Sequence, residues 1–92
     1  MKTIKITITF SGAAGGDISV RIQGPGTDIN YEAKGSDPRP DRSFDLMPAL
    51  YSIKLHGLSG GKVNLLIEDG ATKLVNMPCP TPNIFILTSF TV

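Results

Sequence analysis

Apolar and polar residues alternate along most of the chain. From Lys2 to Phe10, Ile4, Ile6, Ile8 and Phe10 fall on one side and Thr3, Lys5, Thr7 and Thr9 on the other, the period of a half-buried strand. Ser11 to Gly16 is a turn rich in glycine and alanine, and Asp17 to Gln23 resumes the alternation with Ile18, Val20 and Ile22. The two runs are expected to pair as a β-hairpin. Gly24-Pro25-Gly26 stops the second run, and Thr27 to Lys34 reads as a third strand with Ile29, Tyr31 and Ala33 inward. Gly35 to Arg42 holds two prolines and no large apolar residue, which predicts an exposed loop.

Phe44 and Leu46 form a short strand before Met47-Pro48, after which Tyr51, Ile53 and Leu55 point inward and Leu50, Ser52, Lys54 and His56 outward. Gly57 to Gly61 is expected to be a turn, followed by a strand over Lys62 to Glu68 with Val63, Leu65 and Ile67 inward. Asp69-Gly70 between apolar runs is the chemistry of a two-residue hairpin turn. With that turn, Glu68 pairs with Ala71 and Leu65 with Leu74, which puts Leu74 on the core face and Leu66, Val75 and Met77 on the other. Met77 to Pro82 reads as a stiff, proline-rich crossing between sheets. The last strand, Asn83 to Val92, is apolar on both faces at its start, with Ile84 and Ile86 opposite Phe85 and Leu87. No stretch keeps a helical period over a helix's length, so the chain is expected to be one all-β domain, a seven- or eight-stranded β-sandwich of immunoglobulin-like architecture, with a small open barrel as the alternative.

The run Phe44-Asp45-Leu46-Met47-Pro48-Ala49-Leu50-Tyr51-Ser52-Ile53-Lys54-Leu55 resembles the F-x-L-x-P-G-x-Y-x-I-x-V segment of transthyretin-like sandwich domains, such as carboxypeptidase regulatory-like and Cna-B-like modules. Phe44, Leu46, Pro48, Tyr51 and Ile53 match by position, while Ala49 and Leu50 depart from the pattern. The resemblance implies a Greek-key sandwich acting as an adhesive, spacer or accessory module, commonly extracellular or in the cell envelope, and not an enzyme. The hydrolase branch needs several histidines and a terminal Tyr-Arg-Gly-Ser, whereas this sequence has one histidine and ends Ser89-Phe90-Thr91-Val92. The Cna-B-like branch implies a Lys-to-Asn isopeptide bond, for which Lys5 and Asn83 are the candidates.

The 92 residues enclose one small core. Nine basic against eight acidic residues leave a net charge of +1 with no basic run, so phosphate binding by clustered cations has no footprint and nucleic acid is not an expected partner. The apolar runs fall far short of the ~20 residues a membrane-spanning helix needs. Alternation from Thr3 onward replaces the apolar segment of a signal peptide, so no export signal is read here. Cys79, the single cysteine, is expected to be an incidental loop residue.

His56 and Cys79 supply at most two zinc ligands, the aspartates at 37, 41 and 45 lack the spacing of a calcium loop, and no cofactor is implied. Ser52 and His56 share a face but lie about 13 Å apart on an extended strand, too far for a nucleophile and its base. What remains is a surface for a protein partner or for self-association: Leu66, Val75, Met77, Phe85 and Leu87 are expected to form one exposed patch, beside an edge strand open to pairing. Against this stands a reversed core face, or Met77 to Pro82 folded over the patch. The second reading is a carbohydrate- or ligand-binding accessory domain using Tyr31, Asp37, Arg39, Asp41 and Arg42.

Overall fold

The computed structural model describes residues 1–11, 15–36 and 41–92. Eight antiparallel strands follow one another: β1 (Lys2–Ser11), β2 (Gly16–Gly24), β3 (Thr27–Lys34), β4 (Asp41–Leu46), β5 (Leu50–Ser59), β6 (Lys62–Asp69), β7 (Thr72–Cys79) and β8 (Asn83–Thr91). They form two four-stranded sheets, sheet A in the order β4-β1-β6-β7 and sheet B in the order β3-β2-β5-β8, packed face to face as a β-sandwich. Around the two long edges the strands run β2-β3-β4-β1 and β6-β7-β8-β5, each three successive strands with the fourth returned alongside, the path of a Greek key. Among the described residues no helix is long and apolar enough to cross a membrane.

The alternation places the core as the sequence predicts. Ile4, Ile6 and Ile8 from β1 and Val63, Leu65 and Ile67 from β6 are buried against Ile18, Val20 and Ile22 from β2, Tyr51, Ile53 and Leu55 from β5, and Ile84, Ile86 and Phe90 from β8. Pairing corrects the expectation in three places. β1 and β2 are not a hairpin: β1 pairs with β4 and β6, β2 with β3 and β5. Both strands carry one fully apolar face, and the sandwich buries those faces against each other across the core instead of laying the strands side by side. β4 begins at Asp41, inside the predicted loop, and β5 runs through Gly57 and Leu58 to Ser59, where a turn was expected.

The third correction reorients β7. Asp69 pairs with Thr72, so the turn residues are Gly70-Ala71; Gly70 alone has positive φ, +59°, the signature of a type II′ turn with glycine first. That two-residue shift leaves the faces unchanged. A β-bulge then follows, because Glu68 pairs with Lys73 but Ile67 pairs with Val75, leaving Leu74 as the extra residue. One inserted residue exchanges the two faces of everything beyond it. Val75, Met77 and Cys79 consequently lie opposite Ile67, Leu65 and Val63 on the core side.

Cys79 is therefore a buried strand residue and not an incidental one in a loop. Burial pushes its thiol pKa up, against a smaller lowering from a hydrogen bond with the Leu65 backbone. Pro78 sits within β7, an edge strand that tolerates a missing amide donor, and only the segment after Cys79 crosses to sheet B.

Candidate interaction surface

The outer face of sheet A is polar and internally bonded. Thr3 donates to Asp45 at 2.8 Å, Asn64 donates to Asn76 at 3.1 Å, and Lys5 approaches Glu68 at 4.0 Å. Leu66 lies half-buried on this face between Thr7 and Asn76. Exposed pairs of this kind contribute little individually, but they leave no wide apolar area.

Sheet B is different. Leu50, Leu58, Phe85 and Leu87 are 64%, 61%, 65% and 67% exposed, four of the six large hydrophobic residues so exposed among the described ones. All four project outward where β5 meets β8, because the registers Leu50↔Thr91, Lys54↔Leu87, His56↔Phe85 and Leu58↔Asn83 put them on one face. The Phe85 ring meets His56 edge-on at 6.3 Å and lies under the Lys54 ammonium at 5.5 Å, a cation–π contact with solvent still on the ring. Beside it, Asp17, Ser19, Glu32, His56, Leu58, Asn83 and Phe85 line an open concavity of ≈ 710 Å³. Further across, on β2 and β3, the face turns charged: the Arg21 guanidinium donates to both Asp28 carboxylate oxygens at 3.1 and 3.0 Å, which lowers the Asp28 pKa and raises that of Arg21.

The single patch expected from the sequence is thus divided. Phe85 and Leu87 are exposed as predicted, Leu66 is on the opposite side of the sandwich, and Val75 and Met77 pack against the core because of the bulge. Leu50 and Leu58 complete the surface, beyond the residues that the sequence pattern singles out. Leu50 carries a signal, since the alternation of β5 points it outward; Leu58 lies in a glycine-rich stretch whose sequence has the look of a turn.

The proposed ligand loop is also rearranged. Asp37 and Arg39 lie outside the described residues. Asp41 and Arg42 belong to β4 and are exposed, while Tyr31 is half-buried at the edge where β3 meets β4. Its ring packs 5.7 Å from that of Phe44 and under the Arg42 guanidinium at 4.8 Å, so it is a covered residue and not a platform presented to a sugar. Its hydroxyl is buried and finds no hydrogen-bond partner among the described residues. Desolvation raises its pKa to about 12, against a smaller lowering by the Arg42 charge.

The sign of the resulting pH dependence is fixed. Above the ordinary tyrosine pKa of about 10 the unfolded chain loses the proton and the folded one keeps it, so stability falls as pH rises from about 10 to about 12. Tyr31→Phe is expected to remove that loss and, by deleting an unsatisfied buried hydroxyl, to leave neutral-pH stability unchanged or raised by about 1 kcal/mol. Denaturant titrations of both proteins at pH 7 and pH 11 measure it; a cost above about 1 kcal/mol at pH 7 would show a hydrogen-bonding role for the hydroxyl.

The isopeptide candidates do not meet. Lys5 projects from the outer face of sheet A beside Glu68, and Asn83 from the outer face of sheet B beside Leu58; the two faces point in opposite directions, with the whole core between them. Ser52 and His56 share the outer face of sheet B, where His56 packs on Phe85. No family model, curated protein or solved structure matches this chain.

Proposed function

We propose that the chain is a non-enzymatic β-sandwich interaction module, a structural or accessory part of a multi-component assembly, which contacts protein through the outer face of sheet B where β5 and β8 meet. The observation that carries this is the grouping of Leu50, Leu58, Phe85 and Leu87 on one face while the outer face of sheet A is polar. An exposed apolar patch rimmed by polar side chains is the kind of surface that marks a protein contact. The transthyretin-like reading of the fold is part of the proposal. It is supported by the behaviour of the matching segment, in which Leu46, Tyr51 and Ile53 are buried and the Tyr51 hydroxyl donates to the Met47 carbonyl at 2.8 Å. A place at the cell surface or envelope goes with that likeness.

A photo-crosslinking side chain at position 85, with position 66 as control, tests the reading in the cells that make the protein. Adducts of defined mass are expected from position 85 and few from position 66. No adducts, or equal yields from both faces, would overturn it.

A further inference from the structure

The four edge strands of the sandwich are unequally guarded. β7 carries the bulge at Leu74 and Pro78, β4 is short and charged at Asp41, Arg42 and Asp45, and β3 presents Asp28, Glu32 and Lys34. These are the ordinary devices against strand addition. β8 has none: from Asn83 to Thr91 it contains no charge and no proline.

Its free backbone groups follow from the register. The Val92 amide donates to the Ala49 carbonyl and the Ser59 amide to the Pro82 carbonyl, each at 2.9 Å, and these contacts continue the β5–β8 ladder at both ends. Hydrogen-bonded pairs alternate in an antiparallel ladder. Ile84, Ile86, Thr88 and Phe90 therefore bond to β5, while the amides and carbonyls of Asn83, Phe85, Leu87, Ser89 and Thr91 point away from the sheet.

We infer that β8 pairs antiparallel with β8 of a second copy of this chain, about a twofold axis at Leu87, joining the two B sheets into one. The inference rests on the reading of the β5–β8 region as a contact surface and names a second copy as the partner along its β8 edge, where the two outer faces become continuous. Leu87 is the midpoint of the strand, so a twofold there overlaps all of β8 and brings every outward amide opposite an outward carbonyl. The side chains agree with that register: Leu87 meets Leu87 of the second copy, and bulky Phe85 faces the second copy's small Ser89. A strand bearing charge would set like charges near each other in a twofold pairing; β8 has none to oppose. Pairing consumes β8 in both copies and leaves the charged β3 edges outermost, so growth stops at two.

Sedimentation velocity over a concentration series of the full chain is the experiment. The wild type is expected to dimerise and to go no further. Leu87→Lys and Leu87→Glu, each with a wild-type unfolding midpoint, are expected to weaken the dimer about tenfold, because like charges then oppose directly across the axis. An equimolar mixture of the two is expected to restore it. A wild type that stays monomeric to about 1 mM, a mass that grows past two, an undiminished Leu87→Lys dimer or a mixture that does not recover would each overturn the inference. A monomeric wild type that still gives adducts with another protein from position 85 overturns self-pairing alone; loss of those adducts as well removes the contact surface with it.

Discussion

Tyr51→Ala is expected to lower the stability of the domain by about 3–5 kcal/mol, a large part of what a domain of this size possesses. The side chain is 1% exposed, stacks on Phe90 with ring centres 5.6 Å apart, and covers Gly24 so closely that a Cβ there would overlap the ring. Removing the ring leaves a void between β2, β5 and β8 that their paired backbones cannot close. Tyr51→Phe keeps the ring and loses only the hydrogen bond to Met47, so about 1 kcal/mol is expected from it. Leu50→Ala, on the neighbouring and exposed position, is expected within about 0.5 kcal/mol of the wild type. Urea denaturation midpoints separate the three, and an unchanged midpoint for Tyr51→Ala would refute its place as a core anchor.

Gly57→Ala is expected to cost about 3 kcal/mol, for a reason of space and not of backbone conformation. Gly57 pairs with Ile18 in the ladder between β2 and β5, and a Cβ at this position would overlap the Asp17 carbonyl oxygen and stand 2.8 Å from the Ile18 Cα. Both obstacles are main chain, so relief requires β2 and β5 to separate. Gly70→Ala gives the contrast: its φ is +59° but nothing lies within 4 Å of the added atom, and about 1 kcal/mol is expected from the left-handed conformation alone. A Gly57→Ala protein as stable as the Gly70→Ala one would show that the strands yield at this point.

These two residues also mark what could be read from the chain. Tyr51 was legible, because burial follows alternation and alternation is written locally in Ile4 to Ile8, Ile18 to Ile22 and Tyr51 to Leu55. Gly57 has the look of a turn residue, since a glycine needed for close approach is indistinguishable in sequence from a glycine needed for flexibility. Pairing was less accessible than burial. β1 and β2 are adjacent in sequence and carry the pattern of a hairpin, but which sheet a strand joins depends on which distant face covers it. Of the candidate surface, Phe85 and Leu87 were visible from the two-faced apolar run of β8. Val75 and Met77 face the core because of a single bulge after the Gly70-Ala71 turn, whose one mark in the sequence is the adjacent apolar pair Leu74-Val75, where the alternation of β7 changes phase.

The return of β1 between β4 and β6 carries a kinetic meaning. Lys2 meets Leu46 and Ile4 meets Asp69, so β1 finds its first partner only in Asp41–Leu46 and its second only in Lys62–Asp69, after β2 and β3 have intervened. The β2–β3 and β6–β7 ribbons close over short loops, but the sheet that holds β1 must gather segments from remote parts of the chain, with their closure entropy spent before any packing rewards it. Folding of this domain is accordingly a slow search over milliseconds to seconds, during which the isoleucines of β1 stand uncovered.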